Sequence, residues 1–385
     1  MNIPFNRPYQ IPAAETYVLQ ALRSGQHCGN HHWNRQCIEW LKDRFGFGEV
    51  FLVPSCTAAL EMGMILAGVE AGDEVILPSY TFSSTATAVT LVGARPVFCE
   101  IEPGTLNIDA DRIESLITPK TRMILPIDYA GIACDIHSIL PIAEARGITV
   151  MVDAAQSMNA RDAHGQWCGA AAPLAAFSFH ETKNFGCGEG GALAVNRADW
   201  VRRGHFVQEK GTDRRLVLDG VRSKYGWVDK GSSYLLSDIL AAMLYAQLEG
   251  MDEMTAYRSR VTDAYRALFA PFEAAGCLRT PQVAAGAQPN HHAFFVVFDS
   301  AENRQQFLTQ LKTRHAVNAY IGYVPLHSSK QGMALGYRPA DLPITEDLAG
   351  RVVRLPLYTD LGKDAAALDH VLGSMQSVLS AMYAM

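Results

Sequence analysis

No stretch of this 385-residue chain approaches the ~20 consecutive apolar residues that a membrane-spanning helix needs. The opening residues, MNIPFNRPYQIPAAE, also lack the apolar segment of a secretory signal. The expectation is a cytoplasmic protein with no membrane partner. The eight cysteines (Cys28, Cys37, Cys56, Cys99, Cys134, Cys168, Cys187 and Cys277) are scattered and form no CxxC pair. That spacing argues against a disulfide framework and fits reduced thiols. Charge is sparse: 19% of residues are charged, neither sign forms a long run, and the net charge is −6. No nucleic-acid partner is expected from such a balance, whereas a small anionic ligand needs only local positive groups. Internal repeats and low-complexity tracts are missing, which excludes a solenoid. His27, His31 and His32 have a spacing that suits a metal only on a helix. Gly29 and Asn30 interrupt such a helix, so a polar loop is expected there and no metal site.

What is present is a large apolar fraction, 49%, in a chain long enough for two domains at roughly 100–200 residues each. From about residue 50, short β-branched runs alternate with helical patterns. Strands are expected at Val50–Pro54, Glu74–Leu77, Pro96–Glu100, Arg122–Ile127, Ile148–Asp153, Ala175–His180 and Gly191–Val195. Several are apolar on both faces, as covered parallel strands are. Helical patterns fill the gaps, as at Thr57–Ala67, Ala110–Ile117 and Ile139–Arg146. This alternation predicts an α/β sheet. Leu235–Met251 is apolar almost all round and reads as a buried helix. Beyond it come an amphipathic helix at Arg258–Ala275, a strand at His292–Phe298, and helices near Asn303–Lys312 and Ala365–Met382. The expected division is an arm plus large domain over 1–251, with the irregular arm 1–29 outside the sheet, and a smaller α+β domain over 252–385.

The stretch Ser178–Gly191, "SFHETKNFGCGEGG", admits two chemical readings. From Gly186 it matches G-x-G-x-x-G, but a dinucleotide site needs a helix after the glycines, and Ala192–Val195 reads as a strand. The other reading puts Lys183 in a loop between strands, with glycines that let the backbone pass close to a flat ligand. An ordinary surface lysine has the same local sequence. Three other strand ends bear on the choice. Asp153 closes the apolar run "ITVMVD", at the carboxyl end where open α/β sheets bind ligands. A carboxylate there suits the protonated pyridine nitrogen of pyridoxal phosphate (PLP), with Gln156 in reach of the ring's phenolic oxygen; it also suits a helix cap. "FLVPSCTAAL" runs from strand into helix, and that helix start, with the hydroxyls of Ser55 and Thr57, forms an anion site or a plain cap. "PSYTFSST" offers Tyr80 or Phe82 to cover an aromatic ring or to fill the core. An anion site, a ring-covering aromatic, a pyridinium carboxylate and a lysine, each at a strand end, are the set that PLP requires.

In the order "SCTAAL", "GDEVILPSYTF", "VDAAQ", "SFHETKN…GEGG" and "SSYLLSDILAA", the chain resembles the sugar-nucleotide aminotransferases of the DegT type. "PFNRP", "SGQHCGN", "YVPLH" (Tyr323–His327) and "RLPLY" (Arg354–Tyr358) extend the resemblance over nearly the whole length. It implies the aspartate-aminotransferase fold (PLP fold type I), with a mixed, mostly parallel seven-stranded sheet and a smaller C-terminal α+β domain. It implies PLP as cofactor, with Lys183 as the catalytic Schiff-base lysine and Asp153 on the pyridine nitrogen. Gln156 is implied near the ring hydroxyl, Thr57, Ala58 and Ser178 at the phosphate, and Phe82 on the ring face. Tyr323 and His327 of "YVPLH" are placed near the substrate, His327 reading equally as a packing histidine, and His180, beside the lysine, could orient it or touch the sugar. "SFHETKN" and "GSSYLLSD" are similar to the branch that makes dTDP-4-amino-4,6-dideoxygalactose from dTDP-4-keto-6-deoxyglucose and L-glutamate. A homodimer with shared active sites is implied as well. The chain departs from the family at Ser233 and Leu235, which replace the Asn and Arg of a G-x-N-x-R motif. Ser233 still brings a hydroxyl for phosphate. Gly322 stands where the branch often has His. Relatives that lost the lysine became dehydratases, and Lys183 is present here. Sugar 3-aminotransferases, enzymes of GDP- or UDP-sugars and dehydratases are the alternatives.

Overall fold

The computed structural model describes residues 1–384. All seven strands expected before residue 200 form, with ends shifted by three residues at most. They are β1 (Glu49–Val53), β2 (Glu74–Pro78), β3 (Arg95–Cys99), β4 (Thr121–Ile124), β5 (Thr149–Asp153), β6 (Leu174–Ser178) and β7 (Gly191–Val195). Their order across one sheet is β1-β7-β6-β5-β4-β2-β3. Six run in one direction, and only β7, between β6 and β1, runs antiparallel to them. The strands alternate between two cores because successive side chains point to opposite faces. Val50, Val150, Val152, Phe177 and Ala192 enter one core, beneath the helices His32–Phe45 and Asp238–Glu249. Phe51, Met151, Ala176, Leu193 and Val195 enter the other, beneath Cys56–Leu66 and Ser83–Leu91.

A second, antiparallel sheet has the order β10-β11-β9-β8, with β8 (Leu278–Arg279), β9 (Phe295–Phe298), β10 (Tyr320–Ile321) and β11 (Val352–Arg354). One face is covered by the helices Met251–Ala274, Ala301–His315 and Ala365–Tyr383, through Tyr265, Phe269, Phe307, Val371 and Leu379. The other face, with Phe295, Val297 and Val352, packs against Tyr80, Leu106 and Tyr129 from beyond the strand ends of the large sheet. This seam decides which side chains of the second sheet reach the ligand end of the first.

Three local expectations change. The strand expected at His292–Phe298 starts only at Phe295, because the buried Arg258 guanidinium takes the carbonyls of His291 and His292 (2.9 and 2.7 Å). The helix expected from Leu235 starts at Asp238, where the Ser237 hydroxyl accepts from Ile239 N; Gly250 then separates it from the 24-residue helix Met251–Ala274. The arm contains a helix, Ala13–Ser24, and its first residues cross to the second sheet, where Ile3 bridges Val317.

Gly191 opens β7 directly against the start of the helix Cys56–Leu66. A Cβ on Gly191 would stand 2.5 Å from the Ser55 carbonyl carbon and 2.6 Å from Cys56 N, both backbone atoms that cannot move aside alone. Gly191→Ala is expected to cost about 1–3 kcal/mol through overpacking. Gly373→Ala, in the exposed middle of a helix with nothing near its Cβ, is expected to add about 0.5–1 kcal/mol. Urea unfolding of both variants checks the pair.

Candidate active site

The parallel strands end on one edge of the sheet, and a cavity of about 600 Å³ opens there. Asp153, the last residue of β5, and Ser178, the last of β6, lie on its wall because both strands end at that edge. Thr57 comes from the helix start after β1, Phe82 from the loop after β2, and Lys183 from the β6–β7 loop. That loop folds back on itself: Phe179 N donates to Gly190 O, Glu181 N to Gly188 O, and Cys187 N to Phe179 O. Gly188 takes a positive φ of 89°, which suits a residue without Cβ.

Asp153 is buried and well held. Its Oδ2 accepts from Thr85 Oγ1 (2.8 Å) and its Oδ1 from Ala155 N (3.2 Å), and Thr81 Oγ1 bonds Thr85 Oγ1 in turn (2.8 Å). Because Thr85 gives its proton to the carboxylate, Thr81 is the donor to Thr85. Burial raises the Asp153 pKa, against the lowering effects of Thr85, Ala155 N and Lys183. Burial also lowers the Lys183 pKa; the Cys56 thiol and Asp153 oppose that, and the Arg354 cation adds to it. Among the described residues, Lys183 and Asp153 form no ion pair with each other, which leaves the space between them open.

The helix Cys56–Leu66 presents its N-terminus to the cavity through Ser55, Cys56 and Thr57. The Ser55 hydroxyl accepts from Ala58 N (3.1 Å), so that amide is already engaged, and Ala58 is not on the cavity wall. Thr57 Oγ1 donates to Ser84 Oγ (2.7 Å). Phe82 is 58% exposed at the cavity, whereas Tyr80 is fully buried behind it, its hydroxyl bonded to Tyr129 Oη (3.3 Å) and to Tyr323 N (3.2 Å). Gln156 spans the floor: Oε1 accepts from Ala130 N (2.7 Å), and Nε2 donates to Tyr323 Oη (3.0 Å). His180 also lines the cavity, its Nδ1 shared with Thr182 Oγ1 (2.8 Å).

Besides Ala58, two of the expected site residues stand apart from the wall. His327 is fully buried with Nδ1 on Ser79 Oγ (2.7 Å) and Nε2 near Glu346 Oε1 (3.3 Å); it supports the wall without forming it. Ser233 is exposed and bridges Glu209 through its backbone, away from the cavity. Other wall residues come from segments that carried no site signal. His292 is buried with Nδ1 on Asn184 Oδ1 (3.0 Å). The Asn184 amide is oriented by its Nδ2 donating to Asn290 O, so His292 Nδ1 carries the proton. Burial, with Lys183, Arg258 and Arg354 nearby, pushes the His292 pKa well down and keeps the ring neutral. Arg354 and Phe5 complete the wall. Arg354 fell within the resemblance motif "RLPLY", which gave it no site role; its local signal was a cation inside the apolar run "VVRLPL".

The donor set fits a flat, anionic, cationic-headed group. A helix N-terminus and hydroxyls suit phosphate, a buried carboxylate without a cation in contact suits a protonated ring nitrogen, and a desolvated amine suits covalent attachment to a carbonyl.

Comparison with known proteins agrees with this geometry. A model of the DegT/DnrJ/EryC1/StrS aminotransferase family matches residues 12–376. The spore coat polysaccharide biosynthesis protein SpsC of Bacillus subtilis (strain 168) is 30% identical over 338 residues, 85% of this chain and 84% of that one. The crystal structure of the aminotransferase TlmJ from Streptoalloteichus hindustanus superposes with a TM-score of 0.88 at 27% identity, over 99% of each chain. NtdA from Bacillus subtilis, solved with bound cofactor PMP, superposes with a TM-score of 0.85 at 26% identity, over 96% of this chain and 82% of that one. The chain belongs to the DegT/DnrJ/EryC1/StrS aminotransferase family.

Proposed function

We propose that the protein is a PLP-dependent aminotransferase that moves the amino group of L-glutamate to a 4-keto-6-deoxy sugar nucleotide. The reaction we favour converts dTDP-4-dehydro-6-deoxy-D-glucose to dTDP-4-amino-4,6-dideoxy-D-galactose, with release of 2-oxoglutarate. The observation that carries the reading is the convergence of Lys183, Asp153 and the helix start at Ser55–Thr57 on one cavity. The motifs "SFHETKN" and "GSSYLLSD" support the choice of sugar.

When bound, PLP supplies a ring that accepts the charge developed at the donor's Cα. The rest falls to the chain. Thr57, Ser178 and the helix amides hold phosphate; Ala58 N joins them only by leaving Ser55. Asp153, fixed by Thr85 and Ala155 N, holds a proton on the ring nitrogen, and a cation there in turn stabilises the buried carboxylate. Phe82 covers the ring face, and Gln156 holds Tyr323 in position beside it. Lys183 Nζ takes the Cα proton of the amino donor, and its lowered pKa keeps a share of the amine unprotonated. His180 lies where the sugar would enter.

The homodimer belongs to the same proposal. Leu218, Val221, Tyr225 and Trp227, the last 84% exposed, form an apolar segment that suits burial against a second copy. Ser233 follows that segment and would serve the phosphate of the partner's site. The division into units 1–251 and 252–385, and a cytoplasmic location, complete the reading.

Glutamate is expected to bleach the visible band of the holoenzyme, and a panel of ketosugar nucleotides to single out the 4-keto-6-deoxy sugar by product analysis. Amination at C3, or preference for a GDP- or UDP-sugar, would replace the favoured substrate. Lys183→Ala is expected to slow the glutamate half-reaction by about 10²–10⁴-fold or more, as read by stopped-flow absorbance. Asp153→Asn should keep the fold, since an amide still accepts from Thr85, and slow the same step by about 10²–10⁴-fold; an unchanged rate would remove the ring-nitrogen role.

A further inference from the structure

Gly322 precedes the wall residue Tyr323, and its backbone does not call for glycine, because its φ lies outside the left-handed region. Space is what excludes a side chain. A Cβ there would stand 1.7 Å from Tyr80 Oη, 2.8 Å from Tyr80 Cζ and 2.7 Å from Val352 Cγ1. Tyr80, in the loop after β2, is fully buried, so the phenol cannot swing aside into solvent. Its hydroxyl accepts from Tyr323 N (3.2 Å) and meets Tyr129 Oη (3.3 Å). From there a ring of hydrogen bonds closes. Ala130, next to Tyr129 in the chain, donates its N–H to Gln156 Oε1 (2.7 Å), and Gln156 Nε2 donates to Tyr323 Oη (3.0 Å). Tyr323 is thus pinned at both ends, by its amide on Tyr80 and by its hydroxyl on Gln156. The residues that follow are tied to the same loop: Leu326 N donates to Ser79 O (2.9 Å) and His327 N to Ser79 Oγ (3.0 Å).

Tyr323 meets the cavity beside Phe82, whose ring centroid lies 6.2 Å from its own. Burial raises the Tyr80 pKa and pushes that of Tyr323 up to about 12, so both hydroxyls keep their protons at neutral pH. The Tyr323 hydroxyl accepts from Gln156, and its own proton has no acceptor among the described residues. A neutral donor suits a neutral sugar oxygen, whereas the carboxylates of an amino donor draw cations. The hexose is also the bulkier group to seat, so its binding depends more on where this wall stands. We propose that Tyr80 and Gly322 act as one specificity-setting unit. The Tyr80 hydroxyl, lodged in the space that a side chain at 322 would fill, fixes how far Tyr323 reaches toward the hexose of the sugar substrate. Tyr80 is then a positioning residue that acts through Tyr323 and touches no ligand itself.

The proposal rests on the aminotransferase reading, and its test keeps the two apart. Tyr80→Phe opens the ring of hydrogen bonds from behind the wall. In the holoenzyme it is expected to raise the KM for the sugar nucleotide by about 10-fold, through the unpaired Tyr323 amide, with the glutamate half-reaction within about 2-fold of wild type. Gly322→Ala is expected to raise the same KM by about 10-fold or more through overpacking. Shared space makes the two changes non-additive: with the phenol oxygen gone, the alanine should add only about 3-fold or less. Independent, multiplying effects would overturn the proposal. So would a Tyr80→Phe loss that falls equally on both substrates, or one that lowers only the urea midpoint, since either leaves Tyr80 a packing residue. If Gly322→Ala does not fold, the split between substrates in Tyr80→Phe decides alone. Failure of the aminotransferase reading shows separately, as a wild-type holoenzyme whose visible band glutamate does not bleach.

Discussion

A carboxylate buried at the end of a parallel strand needs a positive charge in front of it, and the site is arranged around that need at Asp153. Desolvation works against its ionised form, and the threonine relay from Thr81 through Thr85 offsets only part of the penalty. The wall does not supply the missing cation by contact: Lys183 stands off, and Arg354 faces the aromatic side. A ligand that brings its own positive nitrogen between them is what this charge distribution stabilises. Keeping His292 neutral serves the same balance, because a third cation would draw the carboxylate away from that role.

The fold was legible in the sequence because buried parallel strands are short, apolar on both faces and punctuated by polar strand ends. That is why Asp153, Thr57, Phe82 and Lys183 stood out at strand ends, with Ser178 added by the family resemblance, and why they share one cavity. Residues whose place depends on chain crossings had no such signal. Phe5 reaches the wall only because Ile3 pairs with Val317, and Arg354 only because the second sheet docks on Tyr80 and Tyr129. Resemblance of motif misleads in a different way at His327. Its position beside the site is real, yet Ser79 Oγ holds Nδ1 and the Pro339 carbonyl holds Nε2, with Glu346 alongside, so it shapes the wall from behind. Ser233 illustrates a third limit, since an exposed residue on one chain carries no trace of what a second copy would do with it.

The glycines after Lys183 show how direction decides between two readings of one pattern. A dinucleotide loop joins a strand to a helix whose N-terminus faces the phosphates. Here the loop joins β6 to β7, and β7 runs back antiparallel to β6. The anion site lies instead at the helix after β1, two places away in the sheet, and Gly191 is the glycine that lets β7 pass against it. The same residues that matched a fingerprint by spacing therefore act by close approach to another element.

Asp153 and Arg354 come from different sheets, so the electrical character of the cavity belongs to the seam between them. Each group is desolvated only while the face carrying Phe295, Val297 and Val352 stays packed on Tyr80 and Tyr129. A buried polar tie helps to hold that packing: the Glu100 carboxylate, just beyond β3, accepts from Ile344 N, Thr345 N and Thr345 Oγ1. Loosening this tie would admit water to both charges at once, weakening their fields and relaxing the pKa shifts that burial imposes. The reactivity of Lys183 is thus governed by the docking of a sheet to which it does not belong.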